Sequence, residues 1–216
     1  MLSEDRTHLN IADLCMGTRA LGPGLRAAIW VQGCPIHCVG CIAPDWIPFK
    51  KSHLLTPEDA AERLLQRDDI EGITISGGEP MVQAAGLADM LRFIRRKRNL
   101  HIICFTGFRY ETLLKWDKTK KIRPFLSELD VLIDGPYIEK LNNGQTFPGS
   151  ANQRIIDLSN KPLPGDQTWH LRRMEYHLRE RNILTVGIPP KEWVKEPFIE
   201  TTFGLHQNLE NKNERL

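Results

Sequence analysis

With 216 residues, 41% of them hydrophobic and 26% charged, the chain has the size and composition of a single soluble globular domain. Its net charge of +2 is too small to indicate nucleic acid as a partner, and no apolar run approaches the ~18 residues of a membrane span. The five cysteines argue against a disulfide framework and for a reducing cytoplasm, since their number is odd and three are clustered. Residues 1–6 lack the basic start and apolar core of a signal peptide.

The first predicted elements lead to the cluster of cysteines. Residues 10–14 are predicted to form a short strand or a turn of helix, and the apolar run 27–31 is predicted to be a buried strand. The thiols of Cys34, Cys38 and Cys41 follow at C-x3-C-x2-C spacing, on the loop that leaves this strand. The carboxyl ends of strands are where α/β proteins place their chemistry, so this loop is the first candidate site.

Cysteine thiolates are soft ligands that suit iron–sulfur clusters or zinc. Three thiolates fit a four-iron cluster that keeps one iron open, whereas structural zinc usually has four protein ligands. The alternatives are a zinc site with His37 as its fourth ligand, or three buried thiols without a metal. Cys15 and Cys104 have no motif partners and are interpreted as buried structural thiols.

The cysteine spacing resembles that of radical S-adenosylmethionine (SAM) enzymes. The wider phrase Trp-Val-Gln-Gly-Cys at residues 30–34, with Gly40 before the last cysteine, is similar to the anaerobic ribonucleotide reductase activating proteins. This resemblance implies a [4Fe-4S] cluster on Cys34, Cys38 and Cys41, whose open iron binds SAM. It also implies that a reduced flavodoxin or ferredoxin donates an electron, that SAM is cleaved to methionine and a 5′-deoxyadenosyl radical, and that the radical takes hydrogen from a glycine of a partner reductase.

The loop after the cysteines, residues 42–49, contains two prolines and is predicted to be irregular. Trp46 and Phe49 are interpreted either as an apolar cover over the cluster or as ordinary loop packing. Ile42 departs from the activating proteins, which often have Tyr or Phe at that position.

A second motif follows one helix later. Thr56 is predicted to cap that helix, and residues 72–76 are predicted to be a strand that ends in Gly-Gly-Glu-Pro. Radical SAM enzymes have a similar stretch, and the resemblance implies that the amino group of SAM is contacted here by Gly77, Gly78, Glu79 and Pro80. An ordinary strand-to-helix turn is the alternative.

The next helix is predicted from an apolar stripe at Leu87, Met90, Leu91 and Ile94. It ends in the basic run 95–98, which is interpreted as a solvated helix end. Docking of an acidic partner such as a flavodoxin is the alternative. Two further helices are predicted at residues 109–117 and 121–129.

Strands are also predicted at residues 100–105 and 131–133. They end in Thr-Gly and Asp-Gly turns similar to those of the activating proteins, so the resemblance implies that Thr106 and Asp134 belong to the SAM site. A β-turn is the alternative role for Asp134.

A third phrase, Gly-Ser-x-Asn-Gln-Arg, lies within residues 149–157 and is also similar to the activating proteins. The resemblance implies SAM contacts by Asn152 and Arg154, because an amide donates and accepts, and a guanidinium pairs with the SAM carboxylate. A loop held by side-chain hydrogen bonds is the alternative.

Alternating polarity over residues 173–179, followed by the apolar run 183–186, predicts a C-terminal β-hairpin, the type of antiparallel edge that mainly parallel sheets often carry. Residues 1–188 are interpreted as one core domain with its cluster loop at 34–41, and residues 189–216 as a polar tail compatible with partial disorder. Because strands alternate with helices, the fold class is α/β with a mainly parallel sheet. A partial (β/α) barrel is what the resemblance adds.

The sequence therefore predicts a cytoplasmic radical SAM enzyme that activates a glycyl-radical enzyme and has neither nucleic acid nor membrane as a partner. A radical SAM enzyme that modifies a peptide or another substrate is the first alternative. A non-enzymatic iron–sulfur or zinc binding module is the second. The small chain has no evident second domain to enclose a free metabolite, which favours a protein or peptide substrate.

Overall fold

A seven-stranded sheet forms the centre of the protein. The structure is a computed structural model that describes residues 8–120, 122–145, 147–161, 171–180 and 182–190, with only the backbone described for 117–120. The strands are β1 Leu9–Thr18, β2 Arg26–Val31, β3 His53–Leu55, β4 Gly72–Gly77, β5 His101–Thr106, β6 Val131–Asp134 and β7 Arg154–Asp157, in the order β3-β1-β2-β4-β5-β6-β7. The four central strands β2, β4, β5 and β6 are parallel, and β1, β3 and β7 add antiparallel pairs at the two edges.

In the described residues, four α-helices connect or flank these strands: α1 Pro57–Leu64, α2 Ala84–Lys97, α3 Tyr110–Lys120 and α4 Ile122–Leu126. Three short 3-10 helices lie at Pro44–Trp46, Pro80–Gln83 and Glu139–Leu141. Helix α1 begins as predicted, because the Thr56 hydroxyl accepts a hydrogen bond from the backbone N–H of Asp59 at 3.1 Å. The predicted stripe of α2 is confirmed, since all four of its apolar side chains are fully buried in the main core. The fold class is therefore α/β, as predicted.

Alternation along the strands sends side chains to two different faces of the sheet. On one face, Ile29, Cys104 and Leu132 pack in the main core with the helices. On the opposite face, Trp30 and Ile133 belong to two smaller apolar clusters. The second face carries none of the α-helices in the described chain, and the cluster around Trp30 is contacted there by Trp46 of the short 3-10 helix Pro44–Trp46.

The predicted C-terminal hairpin is present as β8 Met174–Leu178 and β9 Ile183–Gly187. It is not an edge of the main sheet, however, because β3 and β7 already form the edges and the hairpin makes a separate two-stranded sheet. Leu184 and Val186 pack on the helix-free face beside Trp30. Glu175 fastens the hairpin to β1 by accepting a hydrogen bond from the Thr18 hydroxyl at 2.6 Å.

Two strands were not predicted from the sequence. Strand β3 has only three residues, too few to show a period of two, and β7 falls in the phrase that was interpreted as a ligand-binding loop. The open order from β3 to β7 leaves the partial barrel a prediction. The division at residue 188 also remains a prediction, and residues 191–216 of the predicted tail lie outside the described residues.

A buried arginine joins three of the parallel strands at their amino ends. Arg26 is fully buried at the start of β2 and donates from Nε to the Thr74 hydroxyl at 2.8 Å. Its terminal nitrogens donate to the backbone carbonyls of Pro23, Ile73 and His101 at 3.0, 2.7 and 2.7 Å. Burial lowers the pKa of Arg26 to about 9, and the nearby carboxylates of Asp130 and Glu71 oppose this shift.

Across the described parts of the chain, none of the helices combines the length and the apolar character that a membrane crossing requires. The longest of them, α2, has 14 residues and carries a basic end.

Candidate functional site

The cysteine loop leaves the carboxyl end of β2, as predicted, and both of its ends are fixed by backbone hydrogen bonds. The Gly33 N–H donates to the Trp46 carbonyl at 2.8 Å, and the Cys34 N–H donates to the Ile47 carbonyl at 2.9 Å. At the other end, the Cys41 N–H donates to the Cys38 carbonyl at 3.2 Å. These backbone hydrogen bonds therefore define the shape of the loop.

The three cysteines of this loop are unpaired and partly exposed. Burial raises the pKa of the Cys34 and Cys38 thiols, against hydrogen bonds from backbone N–H groups that lower it. These two thiols are therefore protonated near neutral pH and lose their protons when a metal binds. Cys15 and Cys104 are buried, as predicted.

The chemistry of this donor set fits an iron–sulfur cluster better than a single metal ion. Within the described residues, no three His, Cys, Asp or Glu side chains are gathered closely enough to hold one ion. A [4Fe-4S] cluster has a different requirement, because each of its thiolates binds a separate iron. His37, the fourth ligand of the zinc alternative, is exposed and has a positive φ of 52°.

The Gly-Gly-Glu-Pro turn after β4 packs directly on the cysteine loop. The Gly78 N–H donates to the Val31 carbonyl at 2.7 Å, and the Glu79 N–H donates to the Gly33 carbonyl at 2.9 Å. Residue 78 must be glycine at this approach, since a Cβ there would lie 2.3 Å from the Gly33 oxygen. The two motifs that the sequence separates are therefore one structural unit.

Glu79 lies inside this unit, with only 1% of its surface exposed. Its Oε1 accepts hydrogen bonds from the Met81 N–H at 2.9 Å and the Thr106 hydroxyl at 2.8 Å, and its Oε2 accepts one from the Gly107 N–H at 2.9 Å. A carboxylate has about four acceptor positions, so one remains on Oε2. Burial raises the pKa of Glu79 to about 7, and these three hydrogen bonds limit the rise.

The raised pKa of Glu79 predicts how stability depends on pH. The pKa is about 7 in the folded chain against an ordinary 4.5, so the folded state binds more protons within this window and its stability falls as pH rises. We expect the metal-free protein to lose up to ~3 kcal/mol between about pH 5 and about pH 8 through this group alone. The variant Glu79→Gln should lack this loss, as measured by urea unfolding at both pH values.

Comparison with the variant isolates Glu79 from other titrating groups. Burial lowers the pKa of His101 to about 4, so His101 makes stability rise with pH below about 6.5, but it does so in both proteins. The same pH dependence in the wild type and in Glu79→Gln would show that Glu79 is not desolvated in solution.

Asp134 lies at the carboxyl end of β6 and is fully buried. Burial alone would raise the pKa of Asp134, but hydrogen bonds from Arg154 and from the Tyr110 N–H, together with the charge of Arg109, lower it. The Tyr110 bond measures 2.8 Å and comes from the first residue of α3. Asp134 is therefore charged at neutral pH and fixes the connection between a strand and a helix.

Arg154 binds two carboxylates in the structure. Its Nε donates to Asp134 at 2.9 Å and its Nη2 donates to the other oxygen of the same carboxylate. Its Nη1 and Nη2 donate to Glu111 at 3.0 and 2.9 Å. These bonds use four of the five guanidinium N–H groups, so one N–H on Nη1 remains for a ligand, and a contact through two N–H groups with the SAM carboxylate requires exchange of the exposed Glu111. That contact remains a prediction.

Asn152 and Gln153 fasten the third phrase to the turn after β6. The Asn152 amide donates to the Pro136 carbonyl at 2.8 Å, and the Gln153 amide donates to the Gly135 carbonyl at 3.1 Å. The Oδ1 atom of Asn152 is buried, and no partner for it lies within the described chain. It can accept a hydrogen bond from a ligand, which is the role the resemblance implies.

The structure thus brings the predicted residues into two groups that both border the cysteine loop. One contains the Gly-Gly-Glu-Pro turn and Thr106, and the other contains Asp134, Asn152 and Arg154. The segment after Asp134 joins the second group to the loop, since the backbone N–H of Tyr137 lowers the pKa of the Cys38 thiol and Glu139 lies against Gly40. SAM contacts by these residues remain predictions.

Strand alternation shows which face each strand-end residue occupies. Thr106 lies two residues after Cys104, and Asp134 lies two residues after Leu132, so both are on the face of the sheet that packs against the α-helices. Ser76 and Phe105 lie on the opposite face, at the carboxyl edge, and are partly exposed. The sequence analysis did not single out these two residues, although the period of two could have separated the faces of the strands.

Trp46 and Phe49 differ in their surroundings. The Trp46 ring packs at 5.5 Å from the Trp30 ring and joins the apolar cluster under the hairpin. Phe49 is 65% exposed and lies against Gly33, where a Cβ would be 2.8 Å from its ring. Ordinary packing therefore describes Trp46, and Phe49 is the residue that lies open beside the cysteines.

The basic run at the end of α2 is largely used within the fold. Arg95 donates to Asp130 at 3.0 Å, and Arg98 donates to the carbonyls of Asp68 and Ile70 at 2.8 and 2.6 Å. The run precedes β5 and therefore lies at the amino edge of the parallel strands, opposite the cysteines. This placement argues against docking of an electron donor beside the cysteines, and within the run only Arg96 and Lys97 are exposed as a solvated helix end would be.

A cavity of about 540 Å³ lies away from the cysteines, between β1, β3, α1 and the hairpin. Its lining includes Cys15 and His177, whose sulfur and ring nitrogens are 3.8–3.9 Å apart. Cys15 donates to the Gly17 carbonyl, and burial raises the pKa of its thiol. This thiol is therefore protonated and does not resemble an activated nucleophile.

The comparisons with known proteins agree with this site. A family model described as "4Fe-4S single cluster domain" matches residues 20–156. The anaerobic ribonucleoside-triphosphate reductase-activating protein of Vibrio cholerae is 32% identical over 143 residues, covering 62% of this chain and 88% of that protein. The protein of that name from Enterobacteria phage T4 is 27% identical over 139 residues, covering 62% and 85%. The pyruvate formate-lyase-activating enzyme of Clostridium pasteurianum is 31% identical over 102 residues, covering 44% and 43%.

Proposed function

The chain belongs to the family of anaerobic ribonucleoside-triphosphate reductase-activating proteins and carries a 4Fe-4S single cluster domain, and from this we propose that it introduces a glycyl radical into a partner enzyme. It is a radical SAM enzyme, and its cofactors are a [4Fe-4S] cluster and SAM. Activation of a ribonucleoside-triphosphate reductase or of pyruvate formate-lyase is what the names of its relatives describe.

The observation that carries the proposal is the joining of the two motifs. The cysteine loop and the Gly-Gly-Glu-Pro turn are connected by two backbone hydrogen bonds, from Gly78 to Val31 and from Glu79 to Gly33. A cluster on the three thiols and a ligand at the turn would therefore be held next to each other. Positioning of this kind is what the protein contributes when a cofactor performs the chemistry.

The environment of Glu79 supports an ammonium ligand at the turn. Its carboxylate is buried, its pKa is raised to about 7, and none of the interactions that shift that pKa comes from a cation. A buried carboxylate without a positive partner is costly, and the amino group of SAM would supply the missing charge. Backbone carbonyls of Gly77 and Gly78, together with the remaining acceptor position on Oε2, are the proposed contacts.

The chain's own residues bind the cluster and SAM, position them, and exclude water from the site. We assign Cys34, Cys38 and Cys41 as the cluster ligands, and Pro80, Thr106 and Asp134 as residues that hold the surrounding turns in place. Asn152 offers a buried acceptor, and Arg154 offers a cation for the SAM carboxylate once Glu111 is displaced. When bound, the cluster and SAM supply the reductive cleavage that generates the 5′-deoxyadenosyl radical for hydrogen abstraction.

We also propose which protein donates the electron and which protein donates the hydrogen atom. A reduced flavodoxin or ferredoxin is the proposed electron donor, and a glycine of an anaerobic ribonucleoside-triphosphate reductase is the proposed hydrogen donor. A protein substrate is proposed in place of a free metabolite because the three cysteines are partly exposed and a docking protein would cover them. Modification of a peptide is the second candidate, since the same open site would accept one.

A two-step experiment tests the function. Anaerobically reconstituted protein, reduced with dithionite, should release 5′-deoxyadenosine from SAM. With the reductase encoded in the same genome, it should also give the doublet of a glycyl radical in electron spin resonance. A stable mass change on a peptide without a persistent radical would favour the second candidate. Rapid deoxyadenosine formation with a small metabolite alone would contradict both.

A further inference from the structure

Five large apolar side chains are exposed around the cysteine loop. They are Val39 at 79%, Ile42 at 52%, Phe49 at 65%, Ile138 at 39% and Leu141 at 44% of full exposure. We call these five residues the rim patch. None of them belongs to the three buried apolar clusters of the described chain, so folding does not explain their hydrophobicity.

The geometry places these residues beside the cysteines. Val39 lies between Cys38 and Cys41 in the sequence, and Ile42 follows the last cysteine. Gly40 rests on the short turn at residues 139–141, where a Cβ on Gly40 would lie 3.1 Å from the carboxyl carbon of Glu139. Ile138 directly precedes Glu139, and Leu141 ends the same short turn two residues later, so both are close to the same loop.

Phe49 extends the rim patch to the start of the loop. Its ring lies against Gly33, the residue before Cys34. Apolar side chains thus border the loop at its first and last cysteines. Exposed apolar residues concentrated around a functional site, and not scattered singly, mark an interaction surface.

The charges at the border of the rim patch indicate what it binds. Lys50 and Lys51 follow Phe49 directly, and Lys140 lies between Glu139 and Leu141. All three lysines are exposed, and no ion pair to their ammonium groups is formed within the described residues. Glu139 and Asp45 are the carboxylates of these same segments, which leaves an excess of positive charge. A partner segment with carboxylates beside its apolar residues is complementary to this border.

We propose that the rim patch is the docking surface for the segment of the partner enzyme that carries the glycine. This segment is apolar where it covers the cysteine loop and acidic at its flanks. The inference rests on the proposed function and deepens it, because it says how the open site is closed. Covering the partly exposed cysteines in this way excludes water from the site during hydrogen abstraction.

Single substitutions to aspartate test the proposal. Ile138→Asp and Leu141→Asp lie outside the cysteine loop, so both should keep their iron and their partner-free deoxyadenosine formation. The matched control is Leu178→Asp, which changes an apolar residue that is 82% exposed on the hairpin. Each variant is reconstituted and reduced with dithionite, so that no electron-donor protein takes part, and is then titrated with the reductase.

We expect the KM for the reductase in glycyl-radical formation to rise on the order of tenfold or more in Ile138→Asp and Leu141→Asp, with little change in Leu178→Asp. Lys140→Glu should raise the KM by a smaller factor than these two variants do. That factor should be larger at low salt than at high salt. An unchanged KM in both rim variants, or an equal rise in the control, would overturn the docking surface. A wild type that cleaves SAM but forms no glycyl radical would instead overturn the proposed function.

A defect that appears only when a flavodoxin replaces dithionite would assign the rim patch to the electron donor, and this also overturns the proposal. If one rim variant loses its iron, it is left out of the comparison, and the KM of the other rim variant tests the docking surface. Val39→Asp is kept as a third variant, and its titration is compared with the others after iron content has been matched.

Discussion

Replacing Cys34, Cys38 or Cys41 with alanine should reduce the iron content of the reconstituted protein from about four per chain to background, by analogy with cysteine-ligated cubane clusters. Deoxyadenosine formation should disappear with the iron, because no step of SAM cleavage proceeds without the cluster. Each cysteine is expected to be essential by itself, since each thiolate binds a different iron. Iron analysis and the absorbance of the reconstituted protein measure the first effect, and chromatography of the products measures the second.

The two cysteines outside the motif provide the matched control. Cys15→Ser and Cys104→Ala remove a thiol of the same chemistry from buried positions elsewhere in the sheet. Both should keep the iron and the activity, although with some loss of stability from altered packing. One zinc and no iron in protein purified anaerobically would contradict the cluster and with it the radical mechanism.

The largest expected effect on stability comes from Arg26→Met. The substitution retains most of the side-chain volume but leaves the carbonyls of Pro23, Ile73 and His101 without this donor in a fully buried position. Each buried carbonyl that loses its donor costs roughly 1–3 kcal/mol, so the free energy of unfolding should fall by about 3 kcal/mol or more. For a chain of this length, that corresponds to a decrease in Tm on the order of 6–12 °C.

Arg63→Met is the matched control for this substitution. Arg63 is exposed in the last turn of α1, so its replacement should change the unfolding free energy by less than about 0.5 kcal/mol. Urea unfolding of the metal-free proteins measures both changes without interference from cluster loss. Equal stability of the two variants would show that the buried guanidinium does not hold β2, β4 and β5 together.

The sequence predicted much of the fold because the relevant signals are local. The apolar run at 27–31, the capping residue Thr56 and the stripe of α2 each depend on neighbours a few residues away, and the structure has all three. The C-x3-C-x2-C motif is similarly local, and its position after a buried strand placed the cysteine loop correctly.

The sequence did not predict features that depend on distant partners. Strand β7 forms by pairing with β6, so that Ile155 lies opposite Ile133, and no pattern within residues 154–157 indicates this pairing. The hairpin was predicted, but its place in a separate sheet was decided by β3 and β7, which occupy the edges of the main sheet. Short strands carry too little periodicity to reveal their neighbours.

The candidate site divides along the same line. By itself, the sequence determined that this chain has a three-cysteine loop at a strand end and a Gly-Gly-Glu-Pro turn one β-α-β unit later, because both are contiguous motifs. Only the tertiary structure decided that Glu79 is buried against Thr106 and Gly107, that Arg154 binds Asp134 and Glu111, and that apolar residues border the open loop. The partner of a polar side chain, and the exposure of an apolar one, follow from contacts between distant segments, which a single sequence does not contain.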